Sequence, residues 1–399
     1  MRTNFLITAL ILGLLTAIGP FAIDMYLPAL PTIGEHLGAD TAAVQLSLMS
    51  FFIAMAASQI VFGPLSDMFG RKAPLYFGLV LYGIGGIGCA LSPTIEWLIA
   101  FRFLQGVGAC AGMVISRAVV RDLHTGPEAA QLMSLLMLVF SVSPILAPLT
   151  GSLVIAFGDW RTIFWVMVGA SIFGLILAIF ALKETRPITM RQQSSIGSAL
   201  VAYGTLLKDP GFLGLVFIGA FGMASFMTYL ANSSFILIDH YGLTPTLYSV
   251  AFSVNAVAFI GMSQLTGFLG KRVGLQRVIR TAVAGYAITM VALFLVTAFG
   301  IDQLGVMMVM LFVGYGFLGM VIPTSAVLAL EEHGRIAGTA SALMGTLQFA
   351  TAAVVMGVVG VFFDGTSLPM IAGIAACSVL AFGLTWLTLG RRARAVPAQ

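Results

Sequence analysis

The sequence predicts an all-α integral membrane protein of twelve transmembrane helices in two six-helix halves. Composition is the first observation behind this. Of 399 residues, 59% are hydrophobic and only 9% charged, whereas soluble proteins carry about 25% charged residues. The second is length: the apolar runs reach about 20 residues, enough for a helix to cross the hydrocarbon. Strict alternation, the mark of a membrane barrel, is absent. The third is an internal repeat. Gly63-Pro64-Leu65-Ser66-Asp67-Met68-Phe69-Gly70-Arg71-Lys72 interrupts one pair of apolar runs, and Gly267-Phe268-Leu269-Gly270-Lys271-Arg272-Val273-Gly274 interrupts another.

Taken in order, the apolar segments are 5–30, 42–65, 73–91, 94–119, 129–156, 162–182, 211–238, 246–270, 277–299, 303–330, 336–362 and 368–389. The first could be mistaken for a signal peptide, but it continues past Pro20 and Asp24 without a small-residue cleavage site and reads as an uncleaved helix. The long polar stretch from Lys183 to Pro210 separates a half spanning 1–182 from one spanning 211–399. Its Ser, Gln and Arg content suits a linker that is flexible or lies on a surface, over 183–210.

Charge gives the predicted orientation. Seventeen of the 19 Lys and Arg fall at the termini or at the connections that share their side, including Arg117 and Arg121 at the end of the fourth segment and Arg335 after the tenth. The opposite loops carry acids and one base, Arg161. Such a bias places both termini on the cytoplasmic side. The net charge of +4 is therefore topological and implies no nucleic-acid partner. The three cysteines lie inside apolar runs and form no disulfide framework. His36, His124, His240 and His333 are too scattered to ligate a metal. Gly83 to Gly88 matches a dinucleotide-binding pattern but sits mid-helix with no preceding strand, and no hydrolytic or ATP-binding motif occurs. The chain is not predicted to be an enzyme.

Two ionisable residues stand clearly inside the first six segments. Asp24, in Pro20-Phe21-Ala22-Ile23-Asp24-Met25-Tyr26-Leu27-Pro28, is a carboxyl that at the bilayer centre would cost at least ~2.5–3.5 kcal/mol as an ion. It needs a cavity, a partner or a proton. Nearer the segment's outer end, it would simply meet water. Arg102, in Arg102-Phe103-Leu104-Gln105-Gly106, cannot discharge and needs a carboxylate, carbonyls or water. Asp24 and Arg102 are expected to pair directly or through water, unless Arg102 only clamps helices.

Asp67, Arg71 and Asp122 form a candidate acid–base–acid cluster at the helix ends, with Gly63, Gly70 and Lys72 completing the motif. Pro144, Pro148 and Gly151 mark a bent, closely packed fifth segment. The second half holds no intramembrane acid. Tyr229, Asn232, Asn255 and Gln348, with Phe252, Phe259 and the first half's Tyr26, are the candidate substrate-binding residues. A lining of aromatics and a few amides suits lipophilic, neutral molecules.

These motifs resemble those of the major facilitator superfamily. The first turn is similar to its G-x-L-x-D-R-x-G-R-K signature, with Met68 at the usual basic position. Arg102-Phe103-Leu104-Gln105-Gly106 resembles its fourth-helix R-x-x-Q-G pattern. Ser143 to Ser152 is similar to the antiporter motif G-P-x-x-G-G, with Ala147 and Ser152 in place of two glycines. Ala22 to Pro31, Phe62 to Asp67 and Val120-Arg121-Asp122 resemble the Bcr/CflA drug-resistance branch more narrowly. The resemblance implies two pseudo-symmetric halves and export of amphenicol- or bicyclomycin-type drugs by a monomer. It also implies Asp24 as proton site, Arg102 as its tuning partner, Asp67–Arg71–Asp122 as a gating latch, and no cofactor beyond the coupling proton. Import or facilitated diffusion of a metabolite, or a sensor on the same fold, are the rival readings.

Overall fold

A computed structural model describes residues 2–124, 126–191, 196–331, 333 and 336–395. Arg335, one of the cations used for orientation, lies outside the described residues. Among the described residues every regular element is helical. Eleven helices are long and apolar enough to cross a membrane, and the shorter apolar helix Val142–Phe157 lies within a longer one. The helices are α1 (Arg2–Asp24), α2 (Leu30–Leu37), α3 (Thr41–Phe69), α4 (Lys72–Ala90), α5 (Ile95–Leu123), α6 (Gly126–Phe157) and α7 (Arg161–Phe180). Two shorter ones follow, α8 (Ile188–Arg191) and α9 (Ile196–Leu207). The remainder are α10 (Pro210–Ser234), α11 (Pro245–Val273), α12 (Leu275–Ala298), α13 (Leu304–Glu331), α14 (Ala337–Val361) and α15 (Leu368–Ala395).

Local chemistry sets many of the helix ends. Asp40, Thr94, Asp209 and Thr244 accept backbone N–H groups at the starts of α3, α5, α10 and α11, which have no intrahelical partner. The first segment is less simple than its hydropathy suggests. α1 stops at Asp24, a tight turn covers Leu27–Ala29, and α2 carries the same apolar span on to Leu37. Pro28 and Pro31 explain the break, since neither can donate the backbone bond that an unbroken helix requires.

The chain divides into two compact units, 1–201 and 202–399. In the first, α5 packs against α3, α4 and α1 through glycines. A Cβ at Gly106 would stand 2.5 Å from the Phe51 carbonyl oxygen of α3, and one at Gly112 would stand 2.6 Å from that of Leu15 on α1. Small residues allow such backbone approach where lipid provides no hydrophobic drive between helices. In the second, α10 lies against α13, α14 and α15, and α11 against α13.

One placement corrects the sequence reading. Arg117 and Arg121 are expected in a connection, but α5 continues to Leu123 before His124 leaves the helical conformation. Arg117 is therefore a further ionisable residue inside a span of the first unit. Its Nε is buried and has no hydrogen-bond partner.

Candidate functional site

Asp24 lies well inside the Ile7–Leu37 span and is only 4% exposed, so it is not at a wetted end. Ser143 Oγ of α6 stands 3.4 Å from its Oδ2 as a hydrogen-bond donor. Among the described residues no cation lies within ion-pair distance of the carboxyl. The same part of α6 closes on the α1 terminus, because a Cβ at Gly151 would collide with the Met25 carbonyl oxygen. Pro144 and Pro148 lie within this helix, and Pro148 and Ala147 are buried. The candidate residues of the fifth segment thus let α6 reach the backbone next to the acid.

Arg102 is fully buried but forms no pair with Asp24, so the direct pairing expected as one alternative does not occur. Its Nη1 donates instead to the Ala22 carbonyl at 3.2 Å and to Gln105 Oε1 at 2.7 Å. The guanidinium lies 4.4 Å from the Phe51 ring centre, 4.6 Å from that of Tyr26 and 6.0 Å from that of Phe164. Rings at this distance attract a cation through their quadrupole, more strongly where water is excluded. Nε and Nη2 are buried without partners. Tyr26 is held in place by Ser47, with 2.8 Å between the hydroxyls. Arg102 therefore grips α1 two residues before Asp24. The acid and the base are linked through backbone, not through a salt bridge.

The latch residues come together as expected, and further residues join them. Arg71, 3% exposed, binds Asp122 with both Nε and Nη2, at 2.7 and 3.0 Å. Its Nη1 donates to Asp67 Oδ1 and Ser66 Oγ, each at 2.8 Å. Such bidentate, charge-assisted bonds are the strong ones. Burial alone would weaken the Arg71 charge, but Asp122 and Asp67 outweigh it and hold its pKa above the ordinary value. Lys72 Nζ reaches the Ile179 carbonyl at 3.2 Å, while Gly63 faces open space.

Sequence reasoning missed the other half of this cluster, which comes from the stretch read as linker. Glu184 accepts the backbone N–H of Arg71 at 2.9 Å and of Lys72 at 3.2 Å. Thr185 Oγ1 donates to Asp122 at 2.8 Å, Arg186 lies 3.8 Å from Asp67, and Arg191 lies 3.4 Å from Glu184. Burial pushes Glu184 toward the neutral acid, but the backbone N–H groups of Arg71, Arg186 and Lys72, with Arg191, prevail and hold its pKa below the usual carboxylate value. The acid at the start of the linker was the available signal.

In the second unit, four of the substrate candidates meet. The rings of Tyr229 and Phe252 stack at 5.6 Å and 7°, and Asn255 Nδ2 donates to the Tyr229 hydroxyl at 3.0 Å. Tyr315 packs on Tyr229 at 5.3 Å, and Phe226 bridges Tyr315 and Phe259 at 6.0 and 5.4 Å. Asn255 Oδ1 is buried without a partner. Asn232 and Gln348 stand apart: Asn232 bonds its own helix at Thr228 O, 2.8 Å away, and Gln348 lies beside Gly219. Tyr26 belongs to the Arg102 environment instead. Tyr315 and Phe226 escape the sequence reading, since an aromatic within an apolar run carries no mark of its own. No group of three metal-ligating side chains occurs among the described residues.

Comparisons with known proteins agree with this architecture. The family profile described as Major Facilitator Superfamily matches residues 12–356. The chain is 37% identical to the MFS-type transporter YdgK of Bacillus subtilis, over 96% of each chain. It is 29% identical to the bicyclomycin resistance protein homolog of Haemophilus influenzae, over 93% of each. The crystal structure of a D-xylose-proton symporter superposes with a TM-score of 0.75 at 17% identity, covering 96% of this chain and 97% of that one. Such a likeness speaks for the fold alone. The twelve-segment reading, the twin turns and the fourth-helix motif thus lead to one assignment: this chain is a membrane transport protein, not an enzyme, and belongs to the major facilitator superfamily.

Proposed function

We propose that this protein exports neutral, lipophilic drug-like molecules across the bacterial inner membrane in exchange for protons, with both termini in the cytoplasm. The observation that carries the reading is Asp24, a carboxyl buried inside a span with a hydroxyl donor and, among the described residues, no cationic partner. A site of this kind can take up and return a proton as its surroundings change. Its surroundings are built to change together, because Arg102 holds the Ala22 carbonyl and Gly151 of α6 lies against Met25.

The substrate side rests on the second unit. The stacked rings of Tyr229 and Phe252 supply apolar planar surface, and Asn255 supplies one open acceptor. That combination suits an uncharged molecule with an aromatic ring or a compact apolar body and a hydroxyl or amide donor, as amphenicols and bicyclomycin have. The name of the Haemophilus relative supports the same class. Exchange requires that proton and substrate favour opposite facing states, each by its differential affinity. The Asp67–Arg71–Asp122 cluster, tied to Glu184, is the latch that holds one of them.

The test uses protein purified into liposomes of determined orientation with an imposed pH gradient. Uptake of a labelled amphenicol into acidic vesicles should follow the gradient in the wild type and lose that dependence in Asp24→Asn. Gradient dependence retained by Asp24→Asn would refute the proton site. Flux driven only by the substrate's own gradient would replace exchange by facilitated diffusion.

A further inference from the structure

The second unit repeats the helix–turn–helix of the first, but its tip is chemically different. α11 ends at Val273 and α12 starts at Leu275, with Gly274 between them at φ 85°. Lys271, Arg272, Arg277 and Arg280 are all exposed around this turn. Among the described residues none of the four has a carboxylate within ion-pair distance. The reason lies in composition, because neither 261–301 nor 368–399 contains an Asp or Glu. In the first unit the corresponding turn is neutralised by Asp67, Asp122 and Glu184.

Tertiary structure brings a second element to the same place. Arg280 Nη2 donates to the Leu389 carbonyl at 3.2 Å, which fixes the end of α15 beside this turn. From there α15 continues through Arg391, Arg392 and Arg394 to Ala395. Apolar surface accompanies the charge. The Arg272 guanidinium lies 4.3 Å from the centre of the Phe268 ring, and Phe268 and Val273 are both exposed. These segments offer no anion to offset the four cations. A phospholipid does: its headgroup phosphate meets the guanidinium groups while its acyl chain covers Phe268 and Val273. A soluble phosphate or a nucleic acid would leave that apolar surface in water.

We propose that the α11–α12 turn, together with the adjoining end of α15, is a binding site for the headgroups of anionic phospholipids. The site does not depend on the transport reading. In the second unit, membrane lipid supplies the negative charge that protein carboxylates supply in the first.

Native mass spectrometry of the purified full chain tests this, with phosphatidylglycerol and phosphatidylcholine of identical acyl chains competing for retention. The wild type should prefer phosphatidylglycerol by at least about fivefold, the factor supplied by one interfacial cation. A K271Q/R272Q/R277Q/R280Q variant should lose the preference. Arg277→Gln, which removes a guanidinium with no ion pair among the described residues, should lower it in part and leave thermal unfolding unchanged. Equal retention of both lipids by the wild type, or a preference that survives in the quadruple variant, would overturn the proposal. So would complete displacement of phosphatidylglycerol by millimolar inorganic phosphate, which would make the site one for a soluble anion.

Discussion

The two units share a plan of packed spans and differ in where they keep charge. The first buries Asp24, Arg102 and Arg71. The second buries no charged side chain among the described residues of its spans, and centres on rings and an amide. Charge in a low-dielectric interior responds strongly to small rearrangements, whereas stacked aromatic surface is tolerant of shape. The comparison frames the division of labour we propose: coupling in one unit, recognition in the other.

Substituting the two centres separately is the most forceful way to break that comparison. Asp24→Asn should reduce gradient-driven flux by more than about tenfold, the loss expected when an essential proton carrier is removed. Tyr229→Ala, by contrast, should raise the apparent KM up to about tenfold through lost ring stacking, and keep the wild-type dependence on the gradient. Transport assays at several gradients separate the two outcomes. If Tyr229→Ala also uncoupled flux from the gradient, the division would fail.

The twin turns offer the next contrast. Arg71→Gln leaves Asp122 and Asp67 without their shared partner and should destabilise the protein by about 3 kcal/mol, as breaking a buried pair does. Arg272→Gln removes only an exposed cation over a ring and should cost about 0.5 kcal/mol. Thermal unfolding in detergent, with scan-rate controls, ranks the pair.

A smaller difference is expected at the glycines of the same turns. Gly70 and Gly274 both have positive φ, 89° and 85°, with extended ψ, so alanine is strained at each by about 1–3 kcal/mol. Only at Gly70 would the new Cβ also meet a docked group, 2.6 Å from Glu184 Oε2 and from the Arg191 guanidinium. Gly70→Ala should therefore release the linker to protease as well as lower stability, while Gly274→Ala does only the latter. Limited proteolysis at 183–191 distinguishes them.

The smallest effect concerns pH at the clasp. Glu184 is held below its ordinary pKa in the folded protein. Its contribution is thus complete above the ordinary value, about 4.3, and disappears as pH falls through the lower folded value. Spin labels placed on the linker and on α4 should report no opening between about pH 5 and 8, and opening only once pH falls below the ordinary carboxyl value. The bare turn of the second unit should show no counterpart.

Much of this was legible in the sequence because it depends on local signals. Span lengths, the two turns and the Asp67–Arg71 spacing follow from which residues can leave water. The Asp24 break was half legible: the prolines were visible, but not the continuation of the span to Leu37. The Glu184 clasp was not, since it joins residues 113 positions apart. Nor was the displacement of Arg102 from Asp24 toward the Ala22 carbonyl.

The sequence by itself determined the order of the spans, the glycine-ended turns and the presence of an acid within the first segment. Tertiary structure alone decided what each of these touches. It brought Arg102 under Tyr26 and Phe51, drew the linker onto Arg71, added Tyr315 and Phe226 to the ring cluster and set Arg280 against α15. The physical reason is the solvent. In water a helix declares its inner face by being apolar on one side, whereas in lipid both faces are apolar and the rotation of each helix is set by its neighbours.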